Sequence, residues 1–152
     1  MKKIIIICLF FVSTLTGCGL FKSDEEEARE TAQKFIDGCS GDWEILNDIL
    51  TEEFSMEEPN NMSRFPINIG YKSDLISRCQ TDPPFKSFDV IITSIEYNEY
   101  VGYCTLSNSS LSLGAINMYK PNTFINNIID IIFGSTMKIS NWSSLDWSFY
   151  EK

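Results

Sequence analysis

The chemistry that this 152-residue sequence defines best is that of its cysteine thiols. The chain contains five cysteines and no histidine. The absence of histidine excludes histidine-based catalysis and metal sites of the cysteine and histidine kind. Cys18 follows a basic start with Lys2 and Lys3 and an apolar run over residues 4–15. That run is shorter than the about 20 residues that span a bilayer. The arrangement is typical of a secretory signal peptide that ends in small residues.

Residues 15–18, Leu-Thr-Gly-Cys, resemble the lipobox of bacterial lipoproteins, which has a leucine, two small residues and then a cysteine. The resemblance implies that Cys18 receives a diacylglycerol thioether, that residues 1–17 are removed as a signal peptide, and that the new amino group is acylated. Residues 18–23 are then a lipidated tether and residues 24–152 a single domain. Each buried methylene contributes about 0.8 kcal/mol, so two or three acyl chains make attachment permanent. The alternative is a secreted protein that is cleaved near Gly17 and keeps Cys18 as a thiol.

The same resemblance predicts a location. In lipoproteins of two-membraned bacteria, an aspartate after the lipidated cysteine favours retention in the inner membrane, and this chain has Gly19 there. We therefore expect a lipid-anchored protein of the cell envelope, on the outer membrane and facing the periplasm. Residues 19–22 reach only about 14 Å when fully extended, which would hold the folded part close to the lipid.

Three cysteines remain after such processing: Cys39, Cys79 and Cys104. A periplasm is oxidising, and an odd number of thiols permits at most one intramolecular bridge. We predict a disulfide between Cys39 and Cys79, because both fall near predicted helix ends, where loops can bring them together. Closing a loop of about 40 residues would stabilise the fold by roughly 4 kcal/mol. Three buried, reduced thiols remain the alternative.

The charge of the chain is strongly acidic and unevenly distributed. Its formal net charge is −9, which argues against a nucleic acid partner because phosphates require a basic face. Residues 24–58 contain 13 acidic and two basic side chains, so nearly the whole excess lies in the first third of the chain. We predict that this region forms either a surface that binds a cationic protein partner or a surface that repels anionic lipid head groups. The alternative is the solvated outer face of amphipathic helices.

Helices are predicted first along the chain. Ser23 is an N-cap for a helix that starts at Asp24, carries apolar side chains at helical spacing and stops near Gly38. A second helix is expected from Asp42 to about Leu50, and a short third one over residues 73–78. A further Ile-rich helix over residues 123–133 is predicted to pack in the core. An interfacial membrane helix is its alternative, but that segment lacks the basic residues that such helices usually carry.

Alternating apolar residues predict the strands. An edge strand is predicted over residues 65–69, around Pro66. Further strands are predicted at residues 88–97, 100–106, 115–119, 137–142 and 145–149. A hairpin turn is expected at Asn98 and Glu99, between the first two of these. The predicted fold class is therefore α+β, with N-terminal amphipathic helices packed on a curved antiparallel sheet.

Two helices that contain Phe35-Ile36, Gly41-Asp42-Trp43 and Ile49-Leu50, followed by antiparallel strands, resemble the start of the cystatin-like nuclear transport factor family. The resemblance implies a cone of helices against a curved sheet. The Ile-rich segment departs from the family pattern. The acid and base of the family's isomerases match no position of this chain, so we predict no catalytic residue, no cofactor and no metal, and a protein that is not an enzyme.

One group of aromatic residues is a candidate binding site. Side chains from the predicted strands could line an apolar pocket on a concave sheet face. They are Tyr97, Tyr103, Tyr119, Trp142 and Trp147. The alternative is that they fill a core between helices and sheet.

Two functions follow from the sequence. The first is a non-enzymatic envelope lipoprotein that binds a protein partner close to the membrane, in an accessory, exclusion or inhibitory role. The second is a small-ligand binder or degenerate enzyme that uses the aromatic pocket.

Overall fold

The structure is a computed structural model that describes residues 22–59, 66–97, 101–120 and 136–151. Within these ranges the chain forms three helices and six strands. The helices are α1 (Asp24–Ser40), α2 (Glu44–Ile49) and α3 (Lys72–Thr81), and the strands are β1 (Leu50–Glu58), β2 (Ile67–Tyr71), β3 (Ile91–Tyr97), β4 (Val101–Ser107), β5 (Ser112–Tyr119) and β6 (Lys138–Ser143).

Helix α1 begins as predicted and ends later than predicted. The Oγ of Ser23 accepts a hydrogen bond from the backbone N–H of Glu26 at 3.2 Å. The prediction that the helix stops at Gly38 is wrong, because Gly41, at φ +142°, supplies the left-handed cap instead. Gly38 lets the second helix approach: a Cβ at this position would lie 2.5 Å from Cδ2 of Leu46.

The second predicted helix is shorter than expected, and a strand follows it at once. Helix α2 ends at Ile49, and Leu50 starts β1, in which Phe54 and Met56 are buried. The sequence analysis did not predict this strand. Leu46, Ile49 and Leu50 keep helical spacing, but pairing of Leu50 with Ile139 of β6 draws the backbone into the extended conformation.

The six strands form one sheet in the order β2-β1-β6-β5-β4-β3. Neighbouring strands are antiparallel except β1 and β6, which are parallel. The predicted edge strand around Pro66 is confirmed as β2, and the predicted strands near 88–97, 100–106, 115–119 and 137–142 correspond to β3 to β6. The α+β fold class is thus confirmed, with one parallel pair that the sequence did not reveal.

The predicted strand over residues 145–149 is wrong. After β6 the chain turns, and the backbone N–H of Tyr150 donates to the carbonyl oxygen of Trp147 at 2.8 Å. Polar side chains hold the turn: Asp146 Oδ1 accepts from the N–H of Ser148 at 2.9 Å, and Ser144 Oγ donates to the carbonyl oxygen of Asp146 at 2.9 Å. These side chains bond the main-chain groups locally, as is typical of turns.

The core lies between the helices and the inner face of the sheet, and Trp142 of β6 is at its centre. Its ring is fully buried and meets Phe35 of α1 edge-on, with ring centroids 5.3 Å apart. Phe85, which follows α3, lies 5.4 Å away, and Trp147 lies 4.8 Å away. The helices, the sheet and the C-terminal turn therefore share one aromatic cluster.

Several predicted features lie outside the described residues. They are the signal peptide at 1–17, Cys18, the hairpin turn at Asn98 and Glu99, and the Ile-rich helix at 123–133. In the part of the chain that the structure describes, no helix has the length and apolar character needed to cross a membrane.

The aromatic cluster predicts a large loss of stability when Phe35 is truncated. We expect Phe35→Ala to lower the free energy of unfolding by about 3–5 kcal/mol, because it removes a fully buried ring and leaves a cavity beside Trp142. Urea unfolding followed by fluorescence measures this. Tyr103→Ala, at a side chain that is 43% exposed, is the control and should cost about 1 kcal/mol or less. Equal losses in the two variants would contradict the assigned core.

Candidate functional site

The structure does not bring the five predicted pocket residues together. Trp142 and Trp147 lie in the packed aromatic cluster, and the indole N–H of Trp142 donates to the carbonyl oxygen of Leu113 at 2.8 Å. Tyr103 projects from β4 and is largely exposed. Tyr97 and Tyr119 are half-buried at the other end of the sheet from Trp147. The aromatic side chains thus mainly fill the core, as in the alternative interpretation.

A cavity of about 420 Å³ does exist, beside the C-terminal ends of the parallel strands β1 and β6. Of the five predicted residues only Trp147 lines it. Its lining residues are Glu58, Ile69, Leu145, Asp146, Trp147, Ser148, Tyr150 and Glu151. We refer to this site as the end cavity. Sequence reasoning missed Glu58 and Ile69 as site residues, because they lie some 80 positions from the turn that completes the cavity.

One wall of the end cavity is the Tyr150 ring, which is supported by Arg78 of α3. The Nε of Arg78 donates to the carbonyl oxygen of Tyr150 at 3.1 Å, and its guanidinium carbon lies 5.9 Å from the ring centroid. The same guanidinium pairs with Asp82 at 3.0 Å. Burial raises the pKa of the Tyr150 hydroxyl to about 12.

The end cavity is acidic. Three of its lining residues are carboxylic acids, namely Glu58, Asp146 and Glu151, and no lysine or arginine is among the lining residues described. Asp146 is held in place by its bond to the N–H of Ser148. Neither Glu58 nor Glu151 forms an ion pair with another described residue. The described residues contain no cluster of three or more potential metal ligands.

Trp147, one of the residues that line the end cavity, has a buried hydrogen-bond donor. The side chain is only 7% exposed, and its Nε1–H has no acceptor among the described residues. A buried donor without an acceptor costs about 1–3 kcal/mol, and such groups are uncommon in folded proteins.

A second acidic region extends over helices α1 and α2 and the start of β1. Lys22 pairs with Glu30 at 2.6 Å, and Lys120 pairs with Asp24 and Glu27 at the start of α1. Further along, five exposed carboxylates have no lysine or arginine partner within the described ranges. They are Asp37, Asp42, Glu44, Asp48 and Glu53, which we call the acidic surface.

The structure brings together the two cysteines of the predicted disulfide. Cys39 at the end of α1 and Cys79 in α3 are both buried thiols in this structure, and their sulfur atoms are close enough to interact. Burial, together with the neighbouring Cys79 thiol, raises the pKa of Cys39 well above its ordinary value. Cys104 is buried elsewhere, in β4, and burial raises the pKa of its thiol to about 11. The pairing of Cys39 with Cys79 stays a prediction, and the third thiol is set apart from it.

Solved structures share this architecture. An NTF2-like protein of unknown function from Silicibacter pomeroyi is 9% identical, with 76% of this chain and 88% of that chain aligned at a TM-score of 0.53. An NTF2-like protein of unknown function from Shewanella baltica is 11% identical over 77% of this chain and 88% of that chain, also at 0.53. The chain therefore has the NTF2-like fold, which confirms the cone of helices on a curved sheet that the sequence resemblance implies.

Other comparisons add no function. An LEH-like epoxide hydrolase from M. tuberculosis is 12% identical and aligns over 80% of this chain and 83% of that chain, at a TM-score of only 0.39, which is too low to say anything about activity. No family model and no curated protein matches the sequence.

The contact between Cys39 and Cys79 gives a testable prediction. We expect protein from an oxidising compartment to contain one disulfide and, after denaturation and acid quenching, one alkylatable thiol at Cys104. Reduction should lower the free energy of unfolding by roughly 4 kcal/mol, because the closed loop spans about 40 residues. Mass spectrometry of alkylated peptides and urea unfolding measure the two effects.

Two variants control this experiment. Cys39→Ser should lose the effect of reduction, whereas Cys104→Ala should keep it. Alkylation of Cys39, Cys79 and Cys104 in oxidised wild-type protein would contradict the bridge.

Proposed function

We propose that the protein is a lipid-anchored envelope protein without enzymatic activity, which binds a cationic protein partner through its acidic surface. Supporting the anchor are the signal-peptide pattern and the lipobox-like residues 15–18. Supporting the binding role is one structural observation: five exposed carboxylates between Asp37 and Glu53 have no basic partner in the described part of the chain.

Electrostatics explains what such a surface would do. Exposed charges that are not neutralised within the chain produce a field that steers oppositely charged partners and raises their association rate. The same charge repels anionic lipid head groups over about one Debye length, roughly 8–10 Å at physiological salt. A domain on a tether of about 14 Å would then keep this surface available beside the membrane. This arrangement suits an accessory, exclusion or inhibitory subunit.

The anchor is tested at Cys18. Metabolic labelling with an alkyne fatty acid should tag the wild-type protein in the bacterial envelope and leave Cys18→Ser untagged, because serine cannot form the thioether. Cys104→Ala should be tagged as strongly as wild type. An unmodified amino terminus downstream of residue 18 in the native protein would contradict the proposal.

The acidic surface is tested by charge reversal. Glu44→Lys with Asp48→Lys changes the charge by four at exposed positions of α2 that form no ion pair among the described residues. We expect crosslinking and pull-down of the envelope partner to fall about tenfold or more, since losing close charge pairs costs roughly 1.5 kcal/mol or more. The midpoint of thermal unfolding should change little. Glu52 is unsuitable for this test, because it pairs with Lys72 at 2.8 Å and its replacement would also remove an ion pair.

A matched variant separates location from net charge. Asp89→Lys with Glu96→Lys makes the same charge change at exposed sites at and before β3. It should leave the pull-down nearly unchanged. If both double variants bind the partner as wild type does, the acidic surface is not the binding site.

A further inference from the structure

Exposed apolar side chains gather around the end cavity. Seven large hydrophobic residues are exposed in the described part of the chain, and four of them lie on β2 and the turn after β6: Ile67, Ile69, Tyr71 and Leu145. Leu145 is 75% exposed and Ile69 is 41% exposed, and both line the cavity. Apolar groups clustered on a surface and rimmed by charge are typical of interaction sites.

The site therefore combines three kinds of group within one cavity. It has an apolar rim at Ile69 and Leu145, carboxylates at Glu58 and Glu151 that form no ion pair among the described residues, and the aromatic side chains of Trp147 and Tyr150. A metal ion would leave the apolar rim and the aromatic side chains unused. A purely apolar ligand would leave the carboxylates unpaired.

We infer that the end cavity binds a short basic and apolar peptide segment of a partner protein. A peptide supplies each complement: a lysine or arginine for Glu58 and Glu151, and apolar side chains for Ile69, Leu145 and the aromatic lining. Arg78, which contacts Tyr150 of the cavity, does not compete for the carboxylates, because it already pairs with Asp82 and bonds to the carbonyl oxygen of Tyr150. This site is separate from the acidic surface and goes beyond the proposed function.

The cavity is positioned to receive a partner away from the start of α1. Strand β6 begins where the N–H of Met137 donates to Glu27 of α1 at 2.8 Å, and it runs toward the turn at Leu145. The end cavity thus lies at the opposite end of β6 from the first turn of α1.

The test uses the whole protein, extracted from membranes in detergent and labelled with ¹⁵N-tryptophan. The chain has three tryptophans, so the indole N–H signals can be assigned individually. The probe is the capped peptide Leu-Lys-Leu-Lys-Leu. On titration, the Trp147 Nε1–H resonance should shift because the peptide occupies the cavity that Trp147 lines, and those of Trp43 and Trp142 should move less.

Variants of the protein and matched peptides separate the contributions of apolar contact and of charge to binding. Leu145→Ser should weaken binding of the peptide about tenfold, and Glu151→Gln about fivefold, whereas Ile91→Ser, at an exposed apolar side chain of β3, should change it less than about twofold. Leu-Glu-Leu-Glu-Leu and Ser-Lys-Ser-Lys-Ser should bind at least about tenfold more weakly.

Other outcomes would overturn the inference. If 1,5-diaminopentane binds as tightly as the peptide, the site takes a small cation. If Ser-Lys-Ser-Lys-Ser binds equally well, the apolar rim plays no part. The Glu44→Lys and Asp48→Lys variant should bind the peptide as wild type does, so failure of this inference is distinguishable from failure of the acidic surface.

Discussion

The burial of a single indole ring holds this fold together. Trp142 lies in β6, which pairs in parallel with β1 and antiparallel with β5, so the ring is fixed near the middle of the sheet. Its N–H would be costly to bury alone, and the carbonyl oxygen of Leu113 satisfies it at 2.8 Å. Phe35, Phe85 and Trp147 then close on the ring from three different segments. Helix α1, the loop after α3 and the C-terminal turn are therefore ordered by contact with the same side chain.

Because aromatic rings fill the core, a ligand or partner can bind only outside it. The aromatic rings occupy the space between helices and sheet, and Gly38 allows α2 to pack directly against α1 through Leu46. Polar and charged groups are consequently displaced to the outer helix faces and to the rim at the ends of β1 and β6. The acidic surface and the end cavity are products of this packing, because neither needs a space inside the core.

Local sequence patterns account for much of the fold but not for its long-range pairings. Helical spacing of apolar residues from Ala28 to Cys39 predicts α1, and alternation of apolar and polar residues predicts β3 to β6. Both patterns arise because one side of each helix or strand faces the core. Strand β1 was missed because Leu46, Ile49 and Leu50 fit a helix equally well, and the deciding partner, Ile139, is 89 positions away.

The candidate site shows the same limit. The aromatic character of Trp147 indicated a binding residue, but the alternating pattern predicted a strand there. That pattern does not reveal the hydrogen bond from the N–H of Ser148 to Asp146, which holds the segment in a turn. Glu58 and Ile69 reach the cavity only because β1 runs parallel to β6. The two ends of β6 have different surroundings. Its start is bonded to Glu27 of α1, which also pairs with Lys120 after β5, whereas its far end opens onto the end cavity. Under the proposed anchor at Cys18, six residues before α1, the sheet itself would hold the end cavity away from the lipid, where a peptide of a partner can reach it.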